Sequence, residues 1–337
     1  MKSNKLDLLN LLEEIRGQEI LVIGDIMLDR YVWGEADRVS AEAPVLVVDV
    51  KKKDERLGGA GNVVDNLLSL GVKVNICAVV GDDYYGNKII TRLENSNVNT
   101  DGILRDSSRQ TSTKKRVVAR GQQVVRIDNE DKHPISPEIE EQLIRVINSK
   151  IESVQGIIVS DYGKGLYTKS LSDYFLGLVE SKKINLRNKP LVVDPKPQNK
   201  NLYKNFSVIK PNRKEAEEIS GCKIVDPNSA LKAARIIKNT YNVELVLISL
   251  GADGLLVLSE EHPEGYYSDT LARKVFDVSG AGDTLVSAFT AGIITKCPQI
   301  LAADLANICC AVVVSEVGTV PVNYQSLISE INKICQN

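Results

Sequence analysis

The chain has 337 residues, 43% of them hydrophobic and 26% charged, with a formal net charge of −2. This length can bury a large core, as one large domain with an appendage or as two domains, and the composition is that of an ordered globular enzyme. Near-neutral charge excludes a global basic field for nucleic acid or an anionic membrane, and no apolar run approaches the roughly 18–20 residues that span a bilayer.

At the N-terminus, Lys, Asp and Glu alternating with Leu predict an amphipathic helix rather than a signal peptide. Short β-rich apolar runs then alternate with helical patterns. In chain order the expectation is a strand at 20–23, a helix at 60–70, a strand at 74–79 and a helix at 85–96. Helix 137–150, strand 156–160, helix 169–182 and strand 190–194 follow. Strand 207–209, helices 213–220 and 229–239, strand 245–249 and a helical run at 285–294 complete the series. Such alternation implies a parallel sheet covered by helices on both faces, with ligands beyond the carboxyl ends of the strands. The phrases after those ends are 24–29, 160–165, 194–196, 210–215 and 251–254.

Two stretches break the rhythm. Residues 45–50 and 111–128 read as strands without intervening helices, the second as a hairpin of 115–119 and 124–127 around Gly121. A small sheet standing off the main domain, from segments of about 30–56 and 108–130, would serve as a lid. The basic run 51–53 reads as a solvated edge of that sheet that discourages strand pairing. Six cysteines (Cys77, Cys222, Cys297, Cys309, Cys310, Cys335) form no CxxC pair, and read as reduced, mostly buried thiols of a cytoplasmic protein. His133 and His262, the two histidines, each stand beside a proline, which leaves histidine-rich metal sites and Ser-His-Asp catalysis without support.

Asp-Val-Ser-Gly-Ala-Gly-Asp-Thr at 277–284 precedes an apolar helical run. Gly280, Ala281 and Gly282 permit a tight turn in which the amides of Ala281, Gly282 and Asp283 point at one spot. That spot is a helix N-terminus, which favours an anion. An acid in such a turn is suited to accept a proton from a hydroxyl attacking phosphorus, since loose phosphoryl-transfer transition states need little nucleophile activation. The same letter would also serve as a helix-capping carboxylate.

The Gly-Ala-Gly-Asp turn resembles the C-terminal signature of ribokinase-type (PfkB-type) sugar kinases, and Gly58-Gly59-Ala60-Gly61-Asn62 resembles their N-terminal di-glycine signature. Residues 24–31, 38–45, 122–128, 160–165 and 194–196 look like those of bacterial D-glycero-D-manno-heptose 7-phosphate kinases. The resemblance runs from about residue 20 to 322. It implies an α/β, ribokinase-like three-layer sandwich with a mostly parallel central sheet and a small β-sheet lid, one kinase domain over 1–337. It also implies that ATP phosphorylates the anomeric O1 of heptose 7-phosphate to the 1,7-bisphosphate, for ADP-heptose and the lipopolysaccharide core. Some relatives carry a fused nucleotidyltransferase with a His-x-Gly-His motif, which is not found here.

Within that frame Asp283 is the base. Asp25, Asp29, Gly59 and Asn62 suit sugar hydroxyls, which carboxylates bind bidentately. Asn212-Arg213-Lys214-Glu215 opens a helix, and the resemblance assigns Asn212 and Glu215 to Mg-ATP, with magnesium held through water; an N-cap with a first-turn acid has the same letters. Ser249, Gly251 and Gly254 suit the base and ribose, with Asn307 a further nucleotide candidate. Carbonyls near Asp277 and Ser279 could hold a potassium ion. The sugar's own phosphate needs a second anion site, for which Arg116, Arg120 and Arg126 on the lid, and Lys164 and Lys196 at strand ends, are candidates; Asp161, in the 160–165 phrase, is a further substrate-binding candidate. The expected ligands are therefore ATP and a sugar phosphate, with neither nucleic acid nor membrane, in a homodimer joined through the lid sheet. A kinase for another sugar and a catalytically silent regulator of the same fold remain alternatives. A Rossmann dehydrogenase does not, since Gly59-Ala60-Gly61 lacks the third-glycine spacing.

Overall fold

A computed structural model describes residues 3–272 and 275–334; Cys335 lies outside them. The first half runs α1 (Lys5–Ile15), β1 (Glu19–Gly24), β2 (Ile26–Val39), β3 (Leu46–Gly59), α2 (Ala60–Ser69), β4 (Lys73–Gly81), α3 (Tyr84–Asn95) and β5 (Ile103–Asp106). Then come β6 (Thr113–Ala119), β7 (Gln122–Asn129), α4 (Pro137–Lys150), β8 (Gly156–Ser160), α5 (Lys169–Glu180), β9 (Leu191–Asp194) and β10 (Val208–Ile209). The remainder is α6 (Arg213–Ser220), α7 (Pro227–Tyr241), β11 (Leu245–Ser249), β12 (Leu255–Ser259), β13 (Tyr266–Ser268), α8 (Ala281–Ile293), α9 (Gln299–Val313) and α10 (Tyr324–Ile334).

Nine strands form the central sheet in the order β13-β12-β11-β10-β9-β8-β1-β4-β5. Pairing is parallel from β5 to β11 and antiparallel only at the β11-β12-β13 edge. Strands β8 and β9 are buried along their whole length, as expected when helices cover both faces of a sheet. The direction of strand addition reverses between β1 and β8, so right-handed crossovers send α2 to one face and α4 and α5 to the other. Helices α1, α2, α8 and α9 pack together. The reversal point is where such sheets bind ligands, and the loops after Gly24 and Ser160 meet there, with Asp25 N–H donating to Ser160 O at 3.1 Å.

Local signals explain the helix starts. Ser136 caps α4 with Pro137 in its first turn, Asp83 caps α3, and Asp226 caps α7 with Pro227 following; this cap starts α7 two residues before the predicted 229. The second sheet, in the order β3-β2-β6-β7, departs from expectation in extent. Strands β2 and β3 are 14 residues each and pair antiparallel from Ile26↔Gly59 to Val39↔Leu46. Within the expected lid segment of about 30–56 only 45–50 read as a strand, because charged residues such as Arg30, Glu35, Asp54 and Glu55 on a half-solvated ribbon erase the apolar alternation. Strand β3 is an edge, with Lys51–Lys53 exposed on it. The hairpin β6-β7 turns at Arg120 (φ +52°) and Gly121 (φ +75°).

Candidate active site

Gly280 adopts φ +82°, and a Cβ on it would lie 2.7 Å from Asn62 Nδ2, so this corner of the turn requires glycine. Ala281 N–H bonds back to Val278 O at 3.2 Å and Thr284 N–H to Gly280 O at 3.0 Å. The expected trio of free amides is thereby corrected to two. Gly282 and Asp283 keep the unpaired donors at the α8 N-terminus among the described residues, and Ala281 spends its amide closing the turn.

Asp283 sits in the first turn of α8 and is 3% exposed. Its Oδ2 accepts from Asn62 Nδ2 at 2.7 Å and its Oδ1 from the Tyr162 hydroxyl at 2.8 Å. Asn62 is delivered by α2 just after Gly59, whose φ of +59° and 2.3 Å approach of a would-be Cβ to Asp25 O again demand glycine. Tyr162 follows β8. Burial, then repulsion from Asp194, pushes the Asp283 carboxyl up to about 7, against the lowering influence of Asn62, Tyr162 and Lys210. A carboxyl tuned to that range suits proton acceptance near neutral pH.

Under the turn lies a buried ion pair. Lys210 Nζ is 2.9 Å from Asp194 Oδ1 and donates to Gly282 O at 3.3 Å. Burial opposes its charge, yet Asp194 and Glu215 outweigh this and hold Lys210 above the ordinary lysine value. Burial, with Glu215 adding to it, raises Asp194 despite Lys210. Lys196 Nζ reaches Glu215 Oε1 at 2.9 Å. Asn212 and Glu215 form a reciprocal capping box, Glu215 N–H to Asn212 Oδ1 at 2.9 Å and Asn212 N–H to Glu215 Oε2 at 3.0 Å. Each of these oxygens retains a second lone pair, and hard oxygen donors beside cations suit a magnesium ion held through water. No group of three His, Cys, Asp or Glu among the described residues could hold a metal directly. Such an ion would draw most of its ligands from water and nucleotide phosphates.

The second sheet supplies cations. Lys114 and Arg116 alternate onto one face of β6. Arg116 pairs with the buried Asp29 and lies 5.3 Å from the Tyr31 ring centre. Lys164 pairs with Glu130. No ion pair of Lys114 occurs among the described residues; its ammonium lies 5.6 Å from the Tyr162 ring centre, and that of Lys196 lies 5.5 Å from the same ring. Burial foremost holds Lys114 below the usual lysine value, with Lys164 adding to this and Asp29 opposing it.

Several predicted site residues stand elsewhere or are occupied. Arg120 is at the hairpin tip, exposed and paired with Asp37; six residues beyond Lys114 along β6, it is roughly 20 Å from the Asp29 end. Arg126, on the exposed β7, pairs with Asp128. Asp25 is buried and accepts from the amides of Tyr162 (2.8 Å), Lys164 (3.0 Å) and Leu166 (3.4 Å), so it pins the loop. Asp161 accepts from Gly163 N, Asn199 Nδ2 and the Tyr203 hydroxyl at 2.7, 2.8 and 2.6 Å, which also employs it internally. Asp277 accepts from Ser279 N at 2.8 Å and Gly318 N at 3.0 Å, tying two loops. Asn307 donates to Ser268 Oγ and Asp269 O at 3.0 and 2.7 Å. Arg213 braces the 251–253 turn through Leu250 O and Asp253, while Lys214 is exposed. Ser249 bridges to Asn212, with Gly251 open to solvent and Gly254 against Ser268 O. Two surface cavities of about 880 and 1020 Å³ lie away from Asp283, which lines neither.

Reading of the sequence missed Tyr162, Lys114, Lys210 and Asp194 as site members. Three of them stood in strand-end phrases, which was the available signal. Lys114 could have been found from its two-residue spacing to Arg116.

The model of the pfkB family carbohydrate kinases matches residues 18–325. The chain is 42% identical over 310 residues to the bifunctional protein HldE of Pelobacter propionicus, covering 92% of this chain and 62% of that protein. It is 38% identical over 319 residues to the bifunctional protein HldE of Helicobacter hepaticus, covering 95% and 65%. The chain thus spans under two thirds of the length of these relatives. Among solved structures, phosphofructokinase-2 from Escherichia coli, in complex with substrates and products, superposes with a TM-score of 0.76 at 16% identity, covering 94% of this chain and 99% of that one. The fold is therefore that of ribokinase-type kinases.

Proposed function

This chain belongs to the pfkB family of carbohydrate kinases, and from that premise we propose that it phosphorylates the anomeric O1 of D-glycero-D-manno-heptose 7-phosphate with ATP. The product is the 1,7-bisphosphate, a precursor of ADP-heptose and the lipopolysaccharide core. The observation that carries the chemistry is the Asp283 carboxylate, held by Asn62 and Tyr162 beside the two free amides of the α8 N-terminus. The heptose assignment rests on the resemblance of 24–31, 38–45 and 160–165 and on the likeness to the HldE proteins.

In this reading the sugar O1 attacks the γ-phosphorus and the bond to the β,γ-bridging oxygen breaks, its electron pair leaving with ADP. The O1 proton passes to Asp283. The Gly282 and Asp283 amides, with the helix dipole, stabilise charge on the transferred group, and Lys210 fixes the turn from below. Magnesium, when bound with ATP, would neutralise charge on the phosphates; Asn212 and Glu215 are the residues to hold it through water. Lys114, Arg116 and Lys164 form the cationic lining for the sugar's phosphate, under the second sheet acting as a lid. Carbonyls near Asp277 and Ser279 would take potassium. Val39, Leu46, Val50, Val124, Val125 and Ile127 are exposed on that sheet, with Val45 in the β2–β3 connection, which supports a homodimer joined through it. Among the described residues no helix is long and apolar enough to cross a membrane; we assign the reaction to the cytoplasm.

The test is coupled ADP release with heptose 7-phosphate, its dephosphorylated form, fructose and ribose. Preference for a neutral sugar would remove the phosphate site, and no ADP release with any sugar would favour a silent regulator.

A further inference from the structure

We propose that Tyr162 is a positioning residue for the Asp283 carboxylate, its hydroxyl on Oδ1 setting the direction in which the base offers its remaining lone pairs to the sugar hydroxyl. This rests on Asp283 being the base.

Three sets of contacts hold the tyrosine. Its backbone N–H donates to Asp25 Oδ2 at 2.8 Å, and Asp25 also takes the Lys164 and Leu166 amides, so a buried acid at the end of β1 anchors the whole loop. The ring is flanked by two ammonium groups, Lys114 from β6 at 5.6 Å and Lys196 from the end of β9 at 5.5 Å, which attract its π face. The hydroxyl then meets a carboxylate whose other oxygen is already taken by Asn62 at 2.7 Å. With one neutral donor on each oxygen, the carboxylate cannot swing about its own bond without losing both. Burial, then Asp283 and Asp194, hold the phenol well above its ordinary titration range. Tyr162 is a donor at every working pH.

The same contact could instead be a placeholder, the tyrosine hydroxyl standing where the sugar hydroxyl will go. A placeholder must move aside for substrate. Tyr162 is fixed by main chain, ring and hydroxyl together, which favours positioning. The charged groups facing Asp283 from the other elements, Asp194 and Lys210, are untouched by changes at 162.

The experiment measures kcat and KM across pH for the wild type, Tyr162→Phe, Asp283→Asn and a protein carrying 3-fluorotyrosine at 162. Losing a hydrogen bond to a charged acceptor should lower kcat in Tyr162→Phe roughly ten- to a hundredfold, with KM for the sugar moving less than about threefold. The acid limb should rise, because a donor that stabilises the anion is gone. Fluorotyrosine, a stronger donor of the same shape, should lower the limb, and it preserves a readout even if the phenylalanine variant misfolds. Unchanged kcat with a lower KM in Tyr162→Phe would make the tyrosine a placeholder and overturn the proposal. So would an acid limb that stays put in both 162 proteins. An inactive Asp283→Asn beside a wild-type-like Tyr162→Phe refutes positioning alone; an active Asp283→Asn refutes the base beneath it.

Discussion

Replacing Lys210 with methionine tests how the 277–284 turn is supported. Lys210 is 2% exposed and pairs with Asp194 at 2.9 Å. Methionine fills much the same volume, so packing is largely kept and the change isolates charge. Asp194 is left buried without its cation, between Glu215 and Asp283, and breaking such a pair costs about 3–5 kcal/mol. At roughly 2 °C per kcal/mol for a chain of this size, Tm should fall by about 6–10 °C near pH 8. The deficit should shrink on acidification. An acid whose folded-state pKa is raised binds its proton more tightly when folded, so stability returns as pH falls through the folded value toward the unfolded one, about 3.9. Thermal melts at pH 5.5 and 8 read this directly. A Tm within 2 °C of wild type at pH 8, or a deficit that grows on acidification, would refute the claim that Asp194 depends on Lys210; the 2 °C margin is about 1 kcal/mol.

Asp283→Asn should lower kcat by roughly 10²–10⁴ while ATP binding, followed by calorimetry, persists. In the wild type, kcat/KM should rise with pH through an acid limb near the value of about 7 that burial gives Asp283, and a flat profile from pH 5.5 to 8.5 would count against that carboxyl. The same raised value means that Asp283 favours folding most at low pH and progressively less as pH climbs from the unfolded carboxyl value through about 7. Gly280→Ala, forced to φ +82° with its Cβ 2.7 Å from Asn62 Nδ2, should lower both Tm and kcat, by about 1–3 kcal/mol in stability. Val125→Lys with Ile127→Asp should convert the proposed lid-joined dimer to monomer in sedimentation, with the far-ultraviolet circular dichroism unchanged.

Much was legible along the chain because its causes are local. Apolar runs bounded by glycine and proline marked β1, β4, β8, β9 and β11 to within a residue or two at most ends, and the Asn212 cap with its first-turn acid marked α6. The 277–284 turn was readable for the same reason: glycines next to an acid before an apolar run mark a tight turn into a helix N-terminus. The Asn212/Glu215 pair shows the limit of such reading, since a capping box and a water-mediated metal site require identical letters, and the fold forms the capping box.

Tertiary structure alone decided which groups meet. Asn62 and Tyr162 reach Asp283 from 221 and 121 residues away, and no local preference encodes that convergence; the reversal of strand order at β1/β8 creates it. Asp25 and Asp161, expected at the substrate, also organise the Tyr162 loop by accepting its amides and neighbouring donors. Arg120 and Lys114 exchanged standing through register: pairing Asp29 with Lys114 sets Lys114 over the site and carries Arg120 to the hairpin tip. Residue type and spacing thus specified the elements and the tight turn before α8, whereas strand pairing, which depends on the whole sheet at once, determined the company each side chain keeps.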